Sequence, residues 1–341
     1  MSLIINGRFL LARQTGVQRF ARMITEQIID KYPDSLIVTP QNNLDLSLPT
    51  VPTGNLQGYA WEQIDLPRFL KSQGSPLLLN LASTAPVNYK NQISTIHDIT
   101  YIRFPESFSK KFRITYQILV PKIIENSRHI LTVSDFSKEE ISSYFNIDKN
   151  RISVVYNSAS SIFSPSGAKY NPGFEYFLTV SSPNKHKNVE RLYEAFCRAQ
   201  TDKKLLVVGK QESKVFNSTA GNFSDKIMFT GAVDDKHLAE LYRGSAAFLF
   251  PSLYEGFGIP PLEAQKSGVP VLASYAASLP EVLGDSVRYV NPYSIDSIKN
   301  GIEGMESADA NVDLIQKGFI NVNQYSWKKS ADLVMNLIDN H

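Results

Sequence analysis

The residues best placed to do chemistry lie in one eleven-residue string, Tyr254-Glu-Gly-Phe-Gly-Ile-Pro-Pro-Leu-Glu-Ala264, where Glu255 and Glu263 stand eight positions apart. The string follows the apolar run 246–250, so it occupies a strand-to-loop-to-helix corner, the place where α/β proteins bind ligands. Gly256 and Gly258 allow a tight backbone that a ligand can approach closely. Pro260-Pro261 can open a helix, because a first-turn proline gives up no needed donor. The N–H groups exposed at that start attract phosphate. One carboxylate before the helix and one within it could accept hydrogen bonds from different hydroxyls of one sugar or ribose. An isolated Glu-Gly pair would be a structural turn with solvated glutamates; the complete string at a strand end points to a ligand.

Three further places carry weaker signals. Thr15-Gly16-Val17 follows the first strand candidate and opens a helix, so Gly16 could give a phosphate access to the backbone. It lacks the Gly-x-Gly-x-x-Gly pattern, which counts against NAD or FAD. His97-Asp98 closes the strand candidate Ile93–His97; taken alone, a histidine there is more often a packed or surface residue than a ligand contact. Lys185 and Lys187 lie in a loop after another strand, where they could meet phosphate or simply be solvated.

The elements that must position these groups are legible from periodicity. Leu3–Asn6 is a strand candidate, and Val17, Phe20, Ile24 and Ile28 put one apolar stripe on a helix from Gly16 to Lys31. Further strands are expected at Leu36–Thr39, Leu77–Asn80, Ile130–Val133 and Ile152–Tyr156, with helices near 108–126 and 135–145. Residues 157–173, rich in Ser, Pro, Gly and Asn, read as a linker. The alternation restarts with strands at Tyr176–Val180, Lys204–Val208, Lys226–Thr230, Ala247–Phe250 and Val269–Ala273, separated by helical patterns, and ends in a helix over 326–339. Strands alternating with helices predict parallel, doubly wound α/β sheets. The expected domains are 1–165, 170–325 and a closing helix at 326–341.

At 341 residues the chain is long enough for two cores. With 43% apolar and 20% charged residues it has the composition of a globular protein, and no run reaches the roughly 18 apolar residues of a membrane span. The opening Met-Ser-Leu-Ile-Ile-Asn-Gly is too short an apolar run for a signal peptide, and the single cysteine, Cys197, allows no internal disulfide. A cytoplasmic location is expected. The first 170 residues hold 18 Lys+Arg against 13 Asp+Glu and the rest 17 against 20, too mild a bias for nucleic acid.

The string at Glu255–Glu263 resembles the donor signature of retaining glycosyltransferases of the two-Rossmann (GT-B) type, specifically the large family 4 group, also called group 1. Val133-Ser-Asp-Phe-Ser137, Phe229-Thr-Gly-Ala-Val233, Ser278-Leu-Pro-Glu281 and Tyr325-Ser-Trp327 are similar to further stretches of that family. The resemblance implies two Rossmann-like domains facing across a cleft, the first binding the acceptor and the second the nucleotide sugar, with the C-terminal helix crossing back to the first. By the same resemblance, Glu255 contacts hydroxyls of the transferred sugar and Glu263 the nucleotide ribose. Backbone N–H groups of Phe257 and Gly258 approach the sugar and pyrophosphate, Lys187 contacts the diphosphate, and Val233 helps hold the base. Gly16 lies opposite the diphosphate, and His97 bonds the sugar ring's substituents and supports the oxocarbenium-like centre. Many relatives carry Gly-Arg where this chain has Ser181-Ser182, and an arginine where it has His186. Ser182 is therefore expected to donate a neutral hydrogen bond.

No aspartate lies two positions from another, so there is no Asp-x-Asp clamp. No metal or other cofactor is expected; Lys187 and helix N-termini would neutralise the leaving diphosphate. The expected partners are a nucleotide sugar (GDP-mannose, or a UDP- or dTDP-sugar) and a glycan or lipid-linked acceptor, in bacterial surface-polysaccharide assembly, without nucleic acid. The segment Phe104–Arg113 mixes Phe104, Phe108 and Phe112 with Lys110, Lys111 and Arg113. It is open to two readings, a peripheral membrane contact at the inner face or core phenylalanines beside solvated lysines. Rival functions are a phosphorylase or epimerase and a non-catalytic nucleotide-sugar-binding subunit.

Overall fold

The structure, a computed structural model, describes residues 3–40, 48–182, 184–209 and 225–340. It holds two compact units. Unit 1 comprises the chain up to Ile102, Ser109–Asn157 and the segment from Ser326; unit 2 comprises Arg103–Phe108 and Ser158–Tyr325.

In unit 1 seven parallel strands run in the order β3-β2-β1-β4-β5-β6-β7. They are β1 (Leu3–Asn6), β2 (Leu36–Pro40), β3 (Val51–Thr53), β4 (Leu77–Asn80), β5 (Gln92–Thr95), β6 (His129–Thr132) and β7 (Ile152–Val154). The central strands β1 and β4 are buried along their whole length, as expected when helices cover both faces of a parallel sheet. Helix α1 (Gly16–Lys31) turns Phe20, Ala21, Ile24 and Ile28 inward, which is the stripe read from sequence. Two further helices of this unit are α2 (Lys110–Asn126), capped by Ser109, and α3 (Asp135–Phe145), capped by Ser134. Two elements had no periodic signal: the short edge strand β3 and the helical stretch 58–72, whose Trp61, Leu66 and Leu70 fill a core cluster with Ile4 and Leu78.

In unit 2 six parallel strands run in the order β10-β9-β8-β11-β12-β13. They are β8 (Tyr176–Val180), β9 (Lys204–Val208), β10 (Ile227–Gly231), β11 (Ala247–Phe250), β12 (Val271–Ser274) and β13 (Arg288–Val290). Helices α4 (Val189–Arg198), α5 (Asp235–Gly244) and α6 (Ile259–Lys266) cross between them, and α7 (Ile295–Gly304) and α8 (Ala308–Val322) follow. Phe177, Leu192, Phe196, Leu205, Leu249 and Ile302 sit in one core cluster. In each unit the strand order reverses at one place, between β1 and β4 and between β8 and β11. Ligand crevices open at such switch points, outside the carboxyl ends of the strands. This is the two-Rossmann GT-B fold.

The last helix, α9 (Trp327–Asp339), belongs to unit 1. Trp327 packs edge-on to Phe20 at 6.3 Å, and Asp339 pairs with Lys31 at 3.1 Å. Two expectations move. The division falls at Asn157 rather than at 165–170, because the Ser/Pro-rich stretch is packed: Phe163 is fully buried against Tyr242, and Arg243 Nε donates to the Ala168 carbonyl at 2.7 Å. The strand expected at Ile93–His97 ends at Thr95, which leaves His97 on the loop beyond it.

Candidate functional site

The Lys187 and Glu255 side chains meet in unit 2. Lys187 follows β8, in the single turn Lys185–Lys187, and Glu255 follows β11. These two strands flank the switch point, so the two loops emerge side by side. Lys187 Nζ donates to both carboxylate oxygens of Glu255, at 2.8 and 3.0 Å, with the side chains 22% and 11% exposed. Nζ also stands 5.6 Å from the centre of the Phe250 ring.

The loops beneath this pair are cross-tied. Asn188, left-handed at φ 59°, donates from Nδ2 to the carbonyls of Pro251 and Pro292, at 2.9 and 2.7 Å. Leu253 N–H donates to the His186 carbonyl at 2.7 Å, and Ser278 Oγ to the Glu255 carbonyl at 2.9 Å. Gly258 caps α6 at φ 93°, and a Cβ there would stand 2.7 Å from Leu279 Cδ2. Pro260 and Pro261 carry no N–H, so with no side-chain cap this end of α6 has the backbone N–H groups of Gly258 and Ile259 as its donors, the polarity that suits an anion.

Glu263 is buried within α6, and Tyr242 donates to its Oε2 at 3.2 Å. The Phe257 side chain packs edge-on to Tyr325 at 5.5 Å, so only its backbone is left to face a ligand. Ser182 is half-buried just past β8, where its carbonyl accepts from Ser181 Oγ at 3.1 Å. Val233, half-buried, follows β10 and precedes Asp234, the cap of α5. Gly209 sits where a Cβ would collide with the Ser181 carbonyl at 2.0 Å; Lys210, noted beside it in the sequence, lies outside the described residues.

Gly16 and His97 belong to unit 1. Gly16 is the exposed first residue of α1, and its neighbour Thr15 makes no capping bond. His97 is 7% exposed; its ring meets Phe20 edge-on at 4.9 Å, and Nε2 lies 3.2 Å from the Leu81 carbonyl. A carbonyl can only accept, so Nε2 carries the proton and Nδ1 is the acceptor in the neutral ring. Burial pulls the imidazole pKa down to about 4, with the Leu81 bond opposing. His97 is therefore uncharged at neutral pH, and it can position a ligand by hydrogen bonding but not by charge.

Sequence reasoning missed a buried polar network beside the unit 1 switch point. Glu62, fully buried, accepts from Asn6 Nδ2 at 2.9 Å and Thr84 Oγ1 at 3.1 Å, and pairs with Arg8 Nε at 3.3 Å. Burial raises its carboxyl above the usual range, and Arg8 is the first of the groups opposing that rise. Arg8 is held further by Thr84 at 2.8 Å and by the Tyr59 ring at 4.5 Å. A cavity of about 350 Å³ opens here, lined among others by Arg8, Gln18, Gln57, Ser83, Thr84 and Tyr116. No periodicity marks Asn6, Arg8 or Glu62; Asn6 ends β1 and Arg8 follows it closely, whereas Glu62 lies inside the helical stretch 58–72.

The phenylalanines of the Phe104–Arg113 segment have internal partners. Phe104 and Phe108 pack on His186, and Phe112 stacks on Tyr116 at 4.1 Å. His186, expected to matter only as a missing arginine, is buried. Among the described residues no group of three or more His, Cys, Asp or Glu is arranged to hold a metal, and no helix is long and apolar enough to cross a membrane.

Solved structures share this fold over the full chain. Sucrose-phosphate synthase from Thermosynechococcus elongatus superposes with a TM-score of 0.75 at 16% identity, covering 99% of this chain and 98% of that one. Anabaena HepE in complex with UDP and glucose gives 0.74 at 14%, covering both chains completely. In sequence, the chain is 31% identical to the O-antigen chain mannosyltransferase RfbU of Salmonella typhimurium over 242 residues, 70% of this chain and 67% of RfbU. It is 29% identical to O-antigen chain mannosyltransferase B of Escherichia coli over 270 residues, 74% and 71% of the two chains. Residues 16–159 match the model of Glycosyltransferase Family 4, and residues 162–338, more than half of the chain and all of its donor-site signature, match that of glycosyl transferases group 1. The chain belongs to the group 1 glycosyltransferase family.

Proposed function

We propose that this glycosyltransferase moves a mannosyl residue from GDP-mannose to a glycan or lipid-linked glycan, retaining the anomeric configuration and using no metal. The observation that carries the reading is the bidentate Lys187–Glu255 pair at the switch point of unit 2. It is a cation and a carboxylate held together until a ligand with both a diphosphate and hydroxyls can take one each. The mannose assignment draws on the two O-antigen mannosyltransferase relatives. UDP- and dTDP-sugars are the competing donors.

In this reading Lys187 and the backbone N–H groups of Gly258 and Ile259 receive the diphosphate, and Ser182 adds a neutral hydrogen bond. Glu255 turns to the hydroxyls of the transferred sugar. Glu263, fixed by Tyr242, takes the ribose, and the backbone near Val233 holds the base. Glu255 orients the sugar and does not attack it. As the bond from the anomeric carbon to the phosphate oxygen breaks, the acceptor oxygen bonds to the same face, and its proton passes to the departing phosphate oxygen. Preorganised groups of this kind are the main source of rate in such sites.

Unit 1 then takes the acceptor. Its cavity at Arg8 is lined by hydroxyl, amide and aromatic groups, and the Arg8 charge is already compensated by Glu62, which suits a neutral sugar better than an anion. The protein would work in the cytoplasm at the inner face of the membrane, with Ile114 and Ile118 exposed on α2 near Lys110 and Lys111 as the contact. A thermal-shift series over nucleotides and nucleotide sugars tests the donor. GDP-mannose at about 100 times its dissociation constant should stabilise the protein by roughly 2.7 kcal/mol and be consumed when acceptor is added. A protein that no nucleotide sugar stabilises, and that consumes none, would end the proposal.

A further inference from the structure

The chain enters unit 2 at Arg103 and leaves it after Phe108, and these six residues dock where the two donor loops meet. Ser107 Oγ lies 3.0 Å from His186 Nδ1 and 3.4 Å from the His186 backbone nitrogen. The Phe108 ring runs nearly parallel to the imidazole, 8° apart at 6.2 Å, and Phe104 lies tilted against it at 6.3 Å. Phe104 also meets Tyr254 at 5.9 Å. One phenylalanine therefore touches the residues immediately before Lys187 and Glu255.

We propose that Arg103–Phe108 is a positioning strap for the donor site, in which Phe104, Ser107 and His186 set where Lys187 stands opposite Glu255. The inference rests on the donor reading given above. Lys187 occupies a three-residue turn that exits through left-handed Asn188, and a turn that short has no ladder of its own to fix a side chain. The imidazole is packed among Phe104, Phe108 and Ser107, and the His186 backbone carbonyl accepts from Leu253 N–H. It thus acts through Lys187, not on the donor. A site must be held to within about 0.5 Å to work, and a misplacement of about 1 Å can cost 10²-fold in rate.

The test uses the full chain with saturating acceptor. Ser107→Ala removes one hydroxyl and leaves the rings in place; Ser107→Thr returns the hydroxyl; Phe104→Leu keeps bulk without the ring. Ser107→Ala and Phe104→Leu should each lower kcat about tenfold, with a smaller change in donor KM, and Ser107→Thr should restore most of the loss. In a Lys187→Ala background the same changes should have almost no further effect on kcat, because residues acting through one group are not additive. A strap that merely fills space would lower Tm while kcat stays within twofold of the unmodified protein, or would add its full loss to that of Lys187→Ala; either result overturns the proposal. If Lys187→Ala itself leaves transfer unchanged, the donor reading falls and the strap with it. If Lys187→Ala is severe and Ser107→Ala and Phe104→Leu are silent, only the strap falls.

Discussion

The two switch points of this molecule carry charge in opposite ways. In unit 2 the lysine and glutamate are paired but partly open to solvent. In unit 1 the carboxylate of Glu62 is fully buried under Arg8, and His97 is buried and neutral. The Lys187 and Glu255 side chains are 22% and 11% exposed, so a ligand can reach the pair and take over both charges. A buried carboxylate that loses its cation costs several kcal/mol. In the proposed reading, unit 2 keeps exchangeable charges for a charged donor, and unit 1 keeps locked ones that shape a site for hydroxyl groups.

The largest expected effect breaks this comparison on the unit 2 side. Glu255→Ala and Lys187→Ala should each lower kcat/KM for transfer from GDP-mannose by at least about 10²-fold, the size of one lost positioning or electrostatic group. Stability should fall as well in Lys187→Ala, which leaves the mostly buried Glu255 carboxylate without its cation. Steady-state kinetics beside thermal melts separates the two quantities. A folded Glu255→Ala protein with near-normal turnover would mean that the pair is only a surface tie.

Most of the fold could be read from the sequence because parallel sheets need long apolar runs and amphipathic crossover helices. The helix Gly16–Lys31 and the strand Tyr176–Val180 came through with their observed bounds. The pair Lys187 and Glu255 was legible because both lie in loops directly after such strands. What escaped was tertiary. Val51–Thr53 is a three-residue edge strand, too short for any period, and residues 58–72 mix Trp61, Glu62 and Asp65 without a clean stripe. Glu62 reads as a surface glutamate until Asn6, Thr84 and Arg8 converge on it. His186 was seen only as an absent arginine, because its partners Phe104, Ser107 and Phe108 lie some eighty residues away.

A smaller effect sharpens the unit 1 side. His97 titrates near its ordinary value of about 6.5 in the unfolded chain and at about 4 in the folded one. The fold thus favours the neutral ring, and the stability this confers is complete above about pH 6.5 and is lost as pH falls through 4. The total is on the order of 3 kcal/mol. His97→Gln keeps a side-chain N–H for the Leu81 carbonyl and cannot titrate. The gap in unfolding free energy between the two proteins should therefore change by that amount between pH 7 and pH 4. A constant gap would show that the imidazole is solvated after all.

The smallest expected effect lies two residues from the largest. Lys185 pairs with Glu190 at 2.7 Å, a geometry as close as that of Lys187 with Glu255, in the same turn and with the same charge. Both partners there are more than half exposed, however, and they lie within one stretch of chain rather than joining the loops after two strands. Solvent screens such a pair almost completely. Lys185→Ala should therefore leave donor KM and kcat within about twofold of the unmodified protein, and Tm within about a degree. If Lys185→Ala instead matched the loss of Lys187→Ala, the turn would be contributing its summed positive charge to the diphosphate. The bidentate contact with Glu255 would then have lost its special standing.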